Sequence, residues 1–182
     1  MGELFQETII VSILAGMVRI MTPILFAAIG ELVTQRAGIW NMGVEGTMLM
    51  GAFTAYIAVT ATGSIWFAVL AAMLAGMLVG LLTAFMTATM RVDHFITGLG
   101  INLLVSGLTL YWFRIYIKGR AQPTFDGFEN VPIPILSSIP YLGEILFTQR
   151  ALTYVAFLTV PAIWFLLYKT RWGLELRCLG EN

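Results

Sequence analysis

The chain has 182 residues, 59% of them hydrophobic and 11% charged, against roughly 45–50% apolar and 25% charged in an average soluble domain. That much apolar surface excludes a water-soluble fold of this size and implies a polytopic membrane protein. Zero formal net charge removes the basic signature of a nucleic-acid binder, and a single cysteine, Cys178, excludes an internal disulfide framework and suits a reducing face.

The opening residues, Met1 to Glu7, lack the basic n-region of a cleavable signal peptide, so the first apolar segment is expected to be retained. A spanning helix needs about 20 mainly apolar residues, and five segments qualify: Thr8–Val33, Glu45–Thr62, Ile65–Met90, Phe95–Ile117 and Ala151–Tyr168. The fold class expected is all-α, a bundle of about five transmembrane helices in a single transmembrane domain over 1–182. A broken helix is expected near 38–46. A Pro-bearing polar loop, 118–150, separates the last two spans, and its short apolar runs, Ile133 to Leu136 and Ile145 to Phe147, suit the interface.

Arg19 lies near the middle of the first span, where a charge costs about 2.5–3.5 kcal/mol on insertion scales. Two readings fit: a snorkelling or ion-paired Arg, or a donor facing a solute path. Pro23 lacks a backbone N–H and is expected to kink this helix. Glu31 fits the headgroup level at the far end.

The break itself reads Gly38-Ile39-Trp40-Asn41-Met42-Gly43-Val44-Glu45-Gly46. Irregular backbone at membrane depth is tolerated only inside protein or beside a water-filled cavity, so the break is expected to border a solute path. Gly38, Gly43 and Gly46 fit a close turn. Asn41 is placed to cap the restarted helix, and Glu45 falls in its first turn, where the helix dipole favours a carboxylate. The pair serves equally well as a purely structural cap.

In the next two spans, Thr47, Gly51 and Ala55 and then Ala72, Gly76 and Gly80 recur every fourth residue, a spacing that lets helices approach closely. The fourth span opens with His94, read as a solvated cap, and Thr97, a possible second cap. Asn102 lies deeper, and a buried amide there is expected to hydrogen-bond across helices. Arg19, Asn41, Glu45 and Asn102 are the candidate solute-path residues. No cluster has metal-ligand spacing and no catalytic triad is visible, so no metal, no cofactor and no enzyme activity are expected.

After the fifth span, Lys169 to Asn182 interleaves apolar and polar residues at helical spacing, as a juxtamembrane amphipathic segment or as a short helix gripped by another protein. Arg36, Arg91, Lys169, Arg171 and Arg177 fall on one side of a five-span arrangement. The positive-inside rule then places the C-terminus in the cytoplasm and the N-terminus outside.

The run from Ala28 to Gly46 resembles the permease subunits of bacterial ABC importers for nucleosides and simple sugars, a broad group that includes ribose and branched-chain amino acid permeases. The group's pattern is E-R-A-G-x-x-N-[ILM]-G-x-E-G, with Gln35 here in place of the acid. A second pattern, T-R-x-G-x-x-x-R-A-x-G-x-N, is matched by Thr170, Arg171, Gly173, Arg177, Gly180 and Asn182, with Cys178 in place of Ala. Asp93-His94 departs from the usual Asn-Gln. The resemblance implies a cell-membrane permease in which two such subunits form the pore. It also implies separate ATPase subunits docked on the segment from Thr170 through Glu181 and Asn182, and an extracytoplasmic solute-binding protein. Further spanning helices would follow Asn182. It implies a nucleoside before a sugar as solute, and Trp40, Phe53 and Tyr56 are aromatics able to stack on a base. A secondary-transporter half or a non-transporting scaffold is the rival, since broken helices occur in secondary transporters too. No G-x-x-x-x-G-K-[ST] motif occurs in these residues, so ATP chemistry would come from another polypeptide.

Overall fold

The computed structural model describes residues 2–117, 127–134 and 142–180. Among the described residues the chain is all-α apart from one short strand pair. It runs α1 (Gly2–Arg36), α2 (Val44–Thr62), α3 (Ile65–Ala84), a π-helical turn (Phe85–Thr89), α4 (His94–Tyr116), β1 (Asn130–Pro132), α5 (Leu142–Leu146), β2 (Thr148–Arg150), α6 (Ala151–Lys169) and α7 (Arg171–Gly180). Five helices are long and apolar enough to cross a membrane: Ile9–Arg36, Val44–Thr62, Ile65–Thr89, His94–Tyr116 and Ala151–Lys169. Each agrees with an expected span to within a few residues. Large apolar side chains point outward, Leu103 at 76%, Leu158 at 72% and Ile20 at 70% exposure. In water such a surface would aggregate; in a bilayer it is the ordinary solvent-facing side.

Contacts divide the chain into two compact units, Met1–Gly30 with Phe128–Leu176 and Glu31–Gly127 with Arg177–Asn182. In the first, α1 packs on α6. Thr22 Oγ1 lies 3.0 Å from Thr153 Oγ1, and both residues are buried. α1 continues as helix through Pro23. The loop's short runs fall partly outside the described residues. Of the rest, Asn130–Pro132 pairs antiparallel with Thr148–Arg150, and Ile133 N–H donates to Phe147 O at 3.0 Å.

In the second unit, α2 and α3 form a hairpin. Gly63 closes α2 in the left-handed region (φ 69°), and the Ser64 hydroxyl accepts the Phe67 N–H to open α3. The small residues expected to pack do meet: a Cβ on Gly51 would touch the Ala72 carbonyl at 3.8 Å, and one on Gly76 would touch Thr47 Cγ2 at 3.6 Å. Gly80 faces open space. Ala58, Val59 and Ala68 fill the hairpin's far end, and Val79, Ile101 and Val105 join α3 to α4.

Candidate functional site

α1 ends in a Schellman motif. Ile39 N–H donates to Thr34 O and Gly38 N–H to Gln35 O, both at 3.0 Å, with Gly38 in the left-handed conformation at φ 81°. This 6→1 and 5→2 pair of bonds is the arrangement that places glycine just past a helix end. The chain then crosses seven residues, 37–43, before α2 begins at Val44.

Backbone groups in such a break need partners, and three side chains from the flanking helices supply several of them. Glu31 Oε1 accepts the Asn41 N–H at 3.2 Å and the Gln35 amide at 3.0 Å. His94 Nδ1 accepts the Trp40 N–H at 3.3 Å. Asn102, on α4, accepts the Gly46 N–H through Oδ1 at 2.7 Å and donates through Nδ2 to Met42 O at 3.0 Å. Gly46 is the third residue of α2, whose N–H an N-cap side chain ordinarily takes. Asn102 therefore caps α2 from a neighbouring helix.

The helices touch closely to permit this. A Cβ on Gly98 would lie 2.4 Å from Met42 Cβ and 2.7 Å from its carbonyl carbon, and one on Gly46 would lie 2.8 Å from Asn102 Oδ1. Gly43 and Gly46 are both buried.

Several expectations change. Asn41 does not cap α2: its Oδ1 accepts the Gly43 N–H at 3.1 Å, and Gly43 is the N-cap residue, without a side-chain cap bond. Two residues, Met42 and Gly43, lie between Asn41 and the first residue of α2, which turns the would-be cap into a local Asx turn. His94 is not a solvated cap either, since Asp93 caps α4 by accepting the Phe95 and Ile96 N–H groups at 2.9 and 3.1 Å. Thr97 is buried at 3% exposure, its hydroxyl without a partner among the described residues. Glu31 is half-buried and anchors the corner through the Asn41 N–H, a contact its place at the end of the span did not announce. Glu45 lies in the first turn of α2, exposed.

Arg19 belongs to the first unit. Its side chain is exposed, and Nε donates to Gln149 Oε1 at 3.4 Å. Gln149 is fully buried, and its Nε2 donates to Ile145 O at 2.7 Å and Ala15 O at 3.4 Å. Nothing in the sequence marks Gln149, because one amide in a polar loop has no periodicity to betray its burial.

The second motif also resolves into geometry. Thr170 precedes α7 and its hydroxyl accepts the Gly173 N–H at 3.2 Å, an N-cap bond. A Cβ on Gly173 would lie 2.3 Å from the carbonyl oxygens of Leu166 and Leu167, so only glycine lets α7 turn so tightly off α6. Arg171 is exposed and Arg177 half-buried. Gly180 packs against the Arg36–Gly38 turn. Glu181 and Asn182 lie outside the described residues.

Beside the corner opens a cleft of about 860 Å³, lined by Gly38, Trp40, Met42 and Thr87 together with Arg91 to Phe95. Asn41, Glu45 and Asn102 are not among its lining residues: Asn41 and Asn102 bond to the backbone of the corner and the start of α2, and Glu45 is exposed in the first turn of α2.

Residues 10–182 match the family described as "Branched-chain amino acid transport system / permease component". The chain belongs to this permease family. It is 34% identical to a putative glucose ABC transporter permease protein of Haloferax volcanii, covering 93% of this chain and 52% of that one. It is 36% identical to a nucleoside ABC transporter permease protein of Lactococcus lactis (93% and 56%) and 34% identical to a guanosine ABC transporter permease protein of Bacillus subtilis (88% and 53%). This permease chain thus spans about half the length of the curated relatives it matches. No solved structure matches it.

Proposed function

We propose that the chain is the N-terminal part of the membrane subunit of an ATP-binding-cassette importer that moves a nucleoside, or failing that a simple sugar, across the cytoplasmic membrane. The observation that carries this reading is the supported break between α1 and α2. Its backbone is held by side chains of adjacent helices and not by its own regular structure, the condition under which irregular chain persists at membrane depth. Helix restarts of this kind turn free N–H groups toward a path. Asn41, Glu45 and Asn102 belong to that path in this reading. The printed names of the relatives supply the solute class.

ATP hydrolysis comes from separate subunits that dock on α7 from the cytoplasm, a second permease subunit completes the pore, and an extracytoplasmic binding protein delivers the solute. The N-terminus lies outside. Thr170, Arg171, Gly173, Arg177, Gly180, Glu181 and Asn182 form the docking segment, with Arg171 the exposed cation at its start.

The test is reconstitution of the full-length permease with its ATPases and binding protein in proteoliposomes. Arg171→Ala with Arg177→Ala is expected to lower ATP-driven uptake by at least about fivefold, the low end of typical coupling between sites. Unchanged uptake would remove the docking assignment.

A further inference from the structure

We propose that the backbone contact between Gly38 and Gly180 transmits the movement of α7 to the corner, which makes these two glycines positioning residues for transport. The inference rests on the transport reading above.

The two residues come from the two separated motifs and meet without side chains. A Cβ on Gly180 would lie 2.4 Å from Arg36 O and 2.9 Å from Gly38 N, and one on Gly38 would lie 3.1 Å from Gly180 Cα. Every atom named is backbone, so no rotamer change can relieve the crowding. Gly38 is also held at φ 81° by the Schellman bonds to Thr34 and Gln35. The end of α7 therefore seats on the turn that closes α1, whose shape is fixed by the Schellman bonds.

From that turn the connection onward is short and rigid. Trp40 N–H is tied to His94, Asn41 N–H to Glu31, and Met42 O and Gly46 N–H to Asn102. A displacement of Gly180 pushes the Arg36–Gly38 backbone, and the next four residues have no slack in which to absorb it. Packed elements of this kind switch between discrete arrangements and do not deform smoothly. A contact serving stability alone would affect folding, whereas a transmitting contact affects the ratio of solute moved to ATP consumed.

The experiment uses the full-length permease with its ATPases and binding protein in proteoliposomes, with uridine, adenosine or glucose as the radiolabelled probe. Gly180→Ala is expected to leave ATP hydrolysis within about twofold of wild type while uptake falls at least about fivefold, a coupling loss of ordinary size. A short bis-maleimide joining Cys178 to a cysteine in Arg36→Cys restores uptake in that variant by tying the two segments together. In the otherwise wild-type transporter the same cross-link leaves uptake intact, which tests the idea even if Gly180→Ala does not assemble. The proposal is overturned if Gly180→Ala transports normally, if uptake and hydrolysis fall in proportion, or if the cross-link blocks the wild-type transporter. A wild-type assembly that takes up none of the probes with ATP overturns the transport reading itself.

Discussion

Gly98→Ala is expected to abolish most transport while the neighbouring Gly100→Ala and Gly107→Ala leave it near wild type. All three glycines lie on α4, yet only position 98 faces the corner: its added Cβ would meet Met42 Cβ, carbonyl carbon and Cα at 2.4 to 2.8 Å, whereas positions 100 and 107 have nothing within 4 Å. Overpacking costs about 1–3 kcal/mol in ordinary cores, and here the obstruction includes backbone, so the upper end applies. To relieve it, α4 must retreat from the corner. That retreat lengthens the 2.7 Å bond from Asn102 to Gly46 and the 3.0 Å bond to Met42. Resistance to denaturant in detergent and uptake in proteoliposomes measure the two effects. On helical propensity alone Gly→Ala is favourable by about 1 kcal/mol, so Gly100→Ala and Gly107→Ala should be neutral or slightly more stable.

Asn102→Leu is the second large effect. Leucine is close in shape but removes an acceptor and a donor together, leaving the Gly46 N–H and the Met42 carbonyl without these partners. Gly46 is buried, and leaving its N–H unsatisfied costs about 1–3 kcal/mol; the bond to Met42 O is exposed and its loss costs less. Asn102→Asp should be milder for stability, because a carboxylate still accepts the Gly46 N–H and the α2 dipole favours it, although its oxygens repel Met42 O. Amide hydrogen exchange at Gly46 reads the local effect directly: slow in wild type, intermediate in Asn102→Asp, fast in Asn102→Leu. ATP-driven uptake should follow the same order, with Asn102→Leu down by at least about tenfold, the rate equivalent of 1.4 kcal/mol. Wild-type exchange at Gly46 in Asn102→Leu would mean that α2 is capped by something else.

Much of this architecture was legible in the sequence because membrane spans announce themselves by length and apolarity. The five helices begin and end where Gly63-Ser64, the Arg91–Asp93 stretch and the polar loop interrupt the apolar runs. The two small-residue stripes were legible as helix contacts from their spacing by four, but that Thr47 meets Gly76 and Gly51 meets Ala72 was not. The break at Gly38–Gly46 was legible as a break, and Asn102 as an amide that bonds across helices. What the sequence hides is which distant group satisfies which backbone atom. Asn41 has the right chemistry for a cap and sits too far from α2 to serve. The cap comes instead from Asn102, 56 residues from the Gly46 N–H it accepts. Glu31 and His94 look like ordinary helix-end residues until the turn at 37–43 folds back over them. Gln149 carries no pattern at all, and its burial shows only in the partners of its amide, the carbonyls of Ile145 and Ala15 and the Arg19 guanidinium.

The chain's two motifs acquire separate physical meanings. In Thr170-Arg171-Trp172-Gly173 the Thr caps α7 and the Gly admits the α6 carbonyls. In Arg36-Ala37-Gly38 the Gly supplies the left-handed residue that ends α1. Neither need be specific to a solute, which accords with relatives whose names refer to glucose, to nucleosides and to guanosine.

The account stands most directly on whether the corner changes its surroundings during transport. Glu45, exposed at the start of α2, is the position to read, as Glu45→Cys in a Cys178→Ser background of the full-length, reconstituted importer. Its reaction with a membrane-impermeant thiol reagent should change at least about fivefold between the resting transporter and one turning over with ATP and loaded binding protein, the range expected of coupled sites. The same labelling rate in both states, with uptake intact, would contradict it.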